Sequence, residues 1–445
     1  MGIHSIEKRQ LSAKGMLQKL RSVFAEIPEP PRDNRGIKSK IPLVDCLMSG
    51  LALFGLKFPS LLQFNQGLND EAVKHNLKTL YQVGHAPCDT YMRERLDEVD
   101  PQLLRPAFTA LFSLIQRGKV LEDYKFLGEY VLCPCDGTQL FSSQQVHCNN
   151  CCEKHHQDGK ITYHHNMLGV VLVHPDHKEV FPLCPEPIFK ADGSKKNDCE
   201  QNSTLRFLDH FRREHSHLKV IFTMDALSAK APYIRAIIEQ GDHFIIGVNP
   251  TGNPTLFEWL KGVELITKTV KTKEGSKEGS VELSFLNQVP LNDANPDLLV
   301  NFIGCVVKDK KGKITGQFSW ITDIPVTQEN VYQLSKGGRA RWKVENETFN
   351  TLKNQGYNFE HNYGHGEKHL CHVFGMLMFL AFFIDQIQQR CCALFQAAVK
   401  QSRSRARFWR RQQSIFTEFF VPSWEDLFNW IIDRKQSRVT LFNTS

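Results

Sequence analysis

The sequence predicts an α/β protein, a mixed sheet with flanking helices that is preceded by an all-helical module and interrupted by a β-rich insertion. Three observations carry this. Up to about residue 125 the apolar residues recur at helical spacing between capping residues. From Glu129 the pattern turns to short runs of Val, Ile, Leu and Tyr separated by turn residues, and then to alternating helical and strand periods. Between about 250 and 325 only alternating, turn-bounded segments remain. At about 150 residues per unit the length of 445 allows two or three structural units. With 41% hydrophobic and 23% charged residues, disordered, collagen-like and disulfide-stapled chains are excluded.

In the opening module Leu43 to Phe54 is strongly apolar, and Asp89 is expected to cap a helix running to Val99. Asp100-Pro101 supplies an N-cap with proline at the first helical position, before an apolar stripe ending at Ile115. Residues 28–41, rich in proline and basic groups, read as a linker. Strands are expected at Glu129 to Cys135, Ile161 to Val173 and Glu179 to Pro185. A helix from Asn197 to His217, a strand to Met224, a helix from Ala231 to Gln240 and a strand from His243 to Val248 follow. The insertion carries strand signals at Leu265 to Thr272, Val281 to Val289, Leu299 to Val307 and Ile314 to Ile324, with a Lys-Lys-Gly hairpin turn at 310–312. Helix returns from Gln328 to Gln355, breaks at Gly356 and resumes from Glu367 to Lys400. The expected units are an all-helical module at 1–125 and an α/β body at 126–250 and 326–400. The β-rich insertion takes 251–325, and a basic C-terminal tail takes 401–445.

The longest apolar run, Val373 to Ile384, is twelve residues, short of the about 17 to 25 that a bilayer span needs, so a buried helix is expected and no membrane partner. The start, Met1 to Leu11, carries Glu7, Lys8 and Arg9 and no apolar stretch, which gives an expectation of a cytoplasmic protein. Thirteen cysteines, an odd number that includes the adjacent pairs Cys151-Cys152 and Cys391-Cys392, fit a reducing compartment. The net charge is +7, and Lys400 to Arg411 concentrates six basic residues, among them Arg403, Arg405 and Arg407, with no acid. With Phe408 and Trp409 inside it, this stripe reads as a phosphate-contacting face or, equally, as a solvated helix end.

Two acids follow apolar strands. Asp136 is expected at the end of the first strand, in Cys-Asp-Gly-Thr, and Asp225 at the end of the fourth, in Val-Ile-Phe-Thr-Met-Asp-Ala. In open α/β sheets ligands gather at the carboxyl ends of strands, so the two converge if those strands are neighbours. On the helix around 338–353, Arg341 and Glu345 are four apart on one face. Two aspartates and a glutamate can hold two divalent cations about 3.5 to 4 Å apart, the arrangement for phosphodiester cleavage, and oxygen ligands favour magnesium or manganese. The bland reading of Arg341 and Glu345 is an exposed ion pair.

Asp136 in Asp-Gly-Thr-Gln-Leu-Phe-Ser-Ser, Asp225 in Met-Asp-Ala and Glu345 in Arg-Trp-Lys-Val-Glu-Asn-Glu resemble the acidic triad of bacterial insertion-sequence transposases of the DDE, ribonuclease H-like superfamily. Separations of 89 and 120 residues resemble the subgroup whose last interval is lengthened by a β insertion. Pro-Arg-Asp-Asn-Arg near the start, Pro-Ser-Leu-Leu-Gln-Phe at 59–64, His147-Cys148-Asn149-Asn150-Cys151 and the Gly-Tyr-Asn-Phe-Glu-His stretch from 356 extend the likeness along the chain. The family's signature helix runs Tyr, two residues, Arg, three residues, Glu, six residues, Lys. Arg341 and Glu345 fit it, but Gly338 stands in the Tyr place and Lys353 lies one residue too far, leaving Glu347 as a rival third ligand. Trp342, just ahead of Lys343-Val344-Glu345, favours Glu345. The resemblance implies that the protein cleaves double-stranded DNA at an element's terminal inverted repeats and joins the 3′ ends to target DNA, using two Mg2+ or Mn2+ ions. It also implies a homodimer on DNA in the bacterial nucleoid, with the 1–125 module serving DNA binding or dimerisation, Arg341, Lys353 and Trp342 contacting DNA, and Trp320 either a base-handling tryptophan or core. A standalone metal-dependent nuclease and a catalytically silent DNA-binding protein are the alternatives.

Cys148 and Cys151 have the spacing of half a structural Zn2+ site, with His147, Cys152, His155, His156, His164, His165, Cys133, Cys135 and Cys184 as further donors; buried thiols are the plainer reading. His361, His365, His369 and His372 form a second group, where glycines at 364 and 366 break helical spacing and favour loop hydrogen bonds or phosphate contacts over metal.

Overall fold

The apolar run at 373–384 forms the centre of a helix, Leu370–Cys391, in the computed structural model, which describes residues 10–30, 41–193, 196–274 and 277–441. The expected Pro-Arg-Asp-Asn-Arg stretch and most of the linker lie outside the described residues, as do 1–9. The 22-residue helix is long and apolar enough to cross a membrane, yet 94% of its most apolar stretch is buried inside the protein. It has no polar face, so it must be covered on every side. Helices Leu43–Gly55, Asp89–Asp97 and Arg105–Arg117 cover it from the N-terminal region, and the central sheet covers it from the other.

The strands are β1 (Lys125–Phe126), β2 (Tyr130–Ser143), β3 (Cys152–His155), β4 (Ile161–Leu172), β5 (Phe181–Pro182), β6 (Glu186–Ile188), β7 (Val220–Met224) and β8 (His243–Gly247), then β9 (Ile266–Glu274), β10 (Lys277–Asn292), β11 (Asn295–Asp309) and β12 (Ile314–Thr322). They form one mixed sheet in the order β3-β4-β2-β7-β8-β12-β11-β10-β9, with β5 and β6 also on the outer edge of β4 and β1 on β2. Only the β2–β7 and β7–β8 pairs are parallel. The fold is thus mixed α/β with a large sheet and many helices.

Several elements differ from the sequence expectation. β2 does not end at Asp136. It leaves β7 after Pro134 but stays hydrogen-bonded to β4, pairing Asp136 with Gly169 and Gly137 with Leu168, so Asp136-Gly137 is strand rather than turn. The expected strand at Glu179 to Pro185 shrinks to the short β5 and β6, because Pro182, Pro185 and Pro187 remove ladder donors. The insertion is not a separate layer: β12 pairs antiparallel with β8, so β9–β12 extend the central sheet, and a helix, Pro254–Lys261, precedes them. The expected hairpin at 310–312 is present, with Gly312 at φ +79°.

The C-terminal segment is folded rather than a tail. Helix Arg405–Glu418 packs on Glu71–Leu80, where the buried Asn76 amide donates to Phe416 and Phe419 carbonyls (2.7 and 2.6 Å) and accepts from Val421 N (2.9 Å). Helix Trp424–Ile432 packs on Ala393–Gln401, and two short strands, β13 (Phe419–Phe420) and β14 (Thr440–Leu441), close the region.

A fully buried carboxylate joins the helical half to the sheet. Glu186 on β6 accepts from Arg105 (2.7 Å), Arg206 (2.5 Å) and His210 (3.2 Å), and Arg105 also holds Glu214. Removing one member of such a network strands the rest, so Glu186→Ala should cost about 3–5 kcal/mol of stability. Chemical denaturation of the purified protein measures this, and a midpoint unchanged from wild type would show that the network is not stabilising.

Candidate functional site

Asp136 and Asp225 sit on neighbouring parallel strands. The last residues paired between β2 and β7 are Pro134 and Thr223, and each acid lies two positions further on, where the strands part and the Asp225 charge acts on the Asp136 carboxyl. Asp225 caps the short turn Ala226–Ser228, accepting from Leu227 N (3.1 Å) and Ser228 Oγ (3.3 Å).

The third acid comes from the helical segment over that face. Helix Val331–Ala340 continues into a π-helical turn, Val344–Phe349, and a last α-turn, Asn350–Asn354. Arg341 donates to Asp136 Oδ2 (3.0 Å) and to Glu345 Oε1 (2.7 Å), bridging strand and helix. Of the two rival acids it is Glu345 that shares Arg341 with Asp136 and raises the Asp136 carboxyl. Burial pushes the Asp136 carboxyl up to about 7; Arg341 pulls it down, while Glu345 and Asp225 add to the rise. This is a site of crowded carboxylates. Its donor set, oxygen alone, fits hard divalent cations, and a bound cation would reverse the rise at Asp136.

Two glycines allow the close packing. Gly169, paired with Asp136, has the Phe349 ring where its side chain would be: a Cβ there would lie 2.7 Å from the ring Cζ. Gly338 has the Trp320 indole in the corresponding space, 2.5 Å from the position of a Cβ. Trp320 thus fills the space that a side chain at 338 would need. Trp320 is itself buried and stacked on Phe318, so it belongs to the core, as one of its two expected readings had it.

An open cleft of about 530 Å³ adjoins the acids, lined by Asp225, Asn249, Trp320, Arg339, Arg341 and Trp342. Trp342 is 53% exposed at its edge. On its other side a second hollow of about 240 Å³ is lined by Lys336, Arg339 and Lys343. Lys353 is held by Glu360 (2.7 Å).

In the basic stripe Phe408 and Trp409 are buried, so they are packing residues rather than part of a phosphate-contacting face. Arg405 is turned to Gln355 (3.3 Å) and Arg411 to Ile431 O (3.0 Å), while Lys400, Arg403, Arg407 and Arg410 are exposed. Cys148 and Cys151 form a second cluster with His165 and His365. Pairing His365 with Cys151 across 214 residues is beyond what spacing can signal.

No protein-family model matches the chain, and no curated protein matches it. Among solved structures it is similar to a piggyBac transposase in a synaptic complex with hairpin DNA, at 10% identity and a TM-score of 0.38, covering 98% of this chain and 83% of that one. The functional argument therefore rests on the residues and their geometry.

The fit of Phe349 over Gly169 is testable. Gly169→Ala should destabilise the protein by about 1–3 kcal/mol through overpacking. Phe349→Leu should relieve it, so that the double variant is more stable than the sum of the single changes, in denaturation experiments. Strict additivity would mean that the two residues do not compete for one space.

Proposed function

We propose that the protein is a DNA transposase of the DDE type, cutting DNA at an element's ends and joining the freed 3′ ends to target DNA. The observation that carries this reading is the meeting of Asp136, Glu345 and Arg341 beside Asp225, at the point where two parallel strands part. The strand order β6-β4-β2-β7-β8, three antiparallel strands followed by two parallel ones, supports a ribonuclease H-like body. Asp136, Asp225 and Glu345 would hold two Mg2+ or Mn2+ ions. When bound, these would activate a water and neutralise charge on the leaving oxygen.

The chain's own groups do the positioning. Arg341, released from its carboxylates, turns to a phosphate oxygen of the strand being cut. Trp342 offers an exposed ring to an unpaired base beside the cleft, and Arg339 and Lys343 continue the positive track past it. Lys400, Arg403, Arg407 and Arg410 contact backbone phosphates further along. Two element ends call for two copies of the chain, hence a homodimer on DNA.

The test uses purified protein, labelled DNA carrying a candidate end, and Mg2+ or Mn2+. Cleavage at the end junction should fall by about 10²–10³-fold or more in Asp136→Ala, Asp225→Ala and Glu345→Ala while binding persists. Glu347→Ala should cut like wild type. Cleavage of any DNA regardless of ends would mean a general nuclease, and binding without cleavage a silent DNA-binding protein.

The exposed stripe makes a separate prediction. Replacing Arg403, Arg407 and Arg410 together by Ala should weaken binding evenly across sequences and flatten the slope of log affinity against log salt by about 2 to 3. An unchanged slope would remove the stripe from the DNA interface.

A further inference from the structure

Four soft donor atoms converge on one point, remote in sequence from the carboxylates. Cys148 and Cys151 come from the loop between β2 and β3, His165 from β4, and His365 from the loop that leads into helix Leu370–Cys391. Their Sγ and Nε2 atoms all lie within 4.8 Å of one another. The separations are 3.9 Å for the two sulfurs and 3.5 and 3.4 Å from His165 Nε2 to Cys148 and Cys151 Sγ. His365 Nε2 lies 3.3 Å from Cys151 Sγ and 3.2 Å from His165 Nε2. A tetrahedron with zinc–sulfur bonds of about 2.3 Å and zinc–nitrogen bonds of about 2.0 to 2.1 Å has edges of about 3.8 Å between sulfurs, about 3.6 Å from sulfur to nitrogen and about 3.3 Å between nitrogens. Five of the six edges fall within a few tenths of an ångström of these, and the sixth, Cys148 Sγ to His365 Nε2, lies within 4.8 Å.

We propose that Cys148, Cys151, His165 and His365 bind a structural zinc ion. Two thiolates and two neutral imidazoles around Zn2+ sum to no net charge, which lets the group be buried without an unpaired ion. Cys151, His165 and His365 are buried and only Cys148 is partly exposed, so all four positions are protein ligands and none opens to substrate. The Nδ1 of His365 is 2.7 Å from the Gly366 carbonyl, a hydrogen bond that sets the tautomer leaving Nε2 free to coordinate. A sulfur pair 3.9 Å apart is no disulfide, and tetrahedral S2N2 donors select zinc over magnesium.

The location gives the ion a task. His165 pairs with Phe141 on β2, the strand that carries Asp136. The loop bearing His365 is fastened at its far end to Asp97, whose carboxylate accepts from the backbone N–H groups of Glu367, Lys368, His369 and Leu370. Zinc thereby ties the far end of β2 and β4 to the start of the core helix and, through Asp97, to the N-terminal helices. This holds whether or not the protein cuts DNA.

The test is metal analysis of the full chain, purified without a histidine tag and with reductant, then dialysed against magnesium-free buffer. One zinc per chain is expected, falling below a tenth in Cys148→Ser, Cys151→Ser and His365→Ala and remaining in Cys371→Ser, a neighbouring thiol outside the cluster. Substitution by Co2+ in the wild type should give the intense visible bands of a tetrahedral site with a thiolate charge-transfer band, and this readout does not depend on whether any variant folds. Folded wild-type protein that takes up neither zinc nor cobalt, zinc retained in all the ligand variants, iron or copper in place of zinc, or a Cys148–Cys151 disulfide found by mass spectrometry would each overturn the proposal.

Discussion

A helix with no polar side constrains this molecule more than any other element. Leu370–Cys391 buries residues on its whole circumference, so the chain must supply walls in every direction. The walls come from distant sequence: the N-terminal helices on one side, the sheet on the other, and the C-terminal helices near its end. One charged group on it shows how tightly they close. Asp385 meets Lys57 at 2.7 Å, both buried, and the Lys57 ammonium lies 3.9 Å from the Tyr357 ring centre and 4.2 Å from that of Trp409. Burial pushes the Lys57 ammonium below its usual range, and Asp385 opposes the fall. Tyr357 donates to the same carboxylate. One ion pair thus joins the N-terminal helices, the core helix, the loop after the Glu345 helix and the C-terminal helix.

The acids inherit their positions from this packing. Two parallel strands part just before Asp136 and Asp225, but a sheet cannot supply a third acid near that point without a helix lying unusually close. Gly169 provides that closeness for Phe349, and Gly338 provides it for Trp320. Arg341 then meets two carboxylates at once, and its charge offsets a repulsion that burial would otherwise magnify. Carboxylates crowded in this way favour a cation, and Arg341 is the cation they hold in this structure.

Much of the architecture was legible because it is local. The Asp100 cap, the apolar run at 373–384 and the alternating strands of the insertion are written in neighbouring residues, and elements form there, although the helix expected to be capped by Asp89 has Cys88 at its N-cap. What failed was non-local. The Asp-Gly pair at 136–137 has the composition of a turn, but β4 keeps it in a strand by pairing along one edge. The insertion looked separate because its alternation differs from its surroundings, while nothing in β12 announces that it will pair with β8. Phe408 and Trp409 sit among arginines in sequence and point into the core in space, since a helix separates what a list of neighbours joins. The cysteine and histidine groups were visible as two sets, and only the fold brings His365 of the second to Cys148, Cys151 and His165 of the first.

The misplaced lysine has a physical reading of the same kind. Eight residues separate Glu345 from Lys353, one more than the signature's spacing. In a regular α-helix eight residues rotate a side chain about 80° away from its starting face, whereas seven bring it back to within about 20°. Between them, however, the helix is π-wound from Val344 to Phe349. A π turn closes its hydrogen bonds one residue later, so it takes up one extra residue without advancing the helical phase. Lys353 therefore keeps the face that a seven-residue spacing would give it. The π turn thus absorbs one residue of the interval between Glu345 and Lys353 in the backbone.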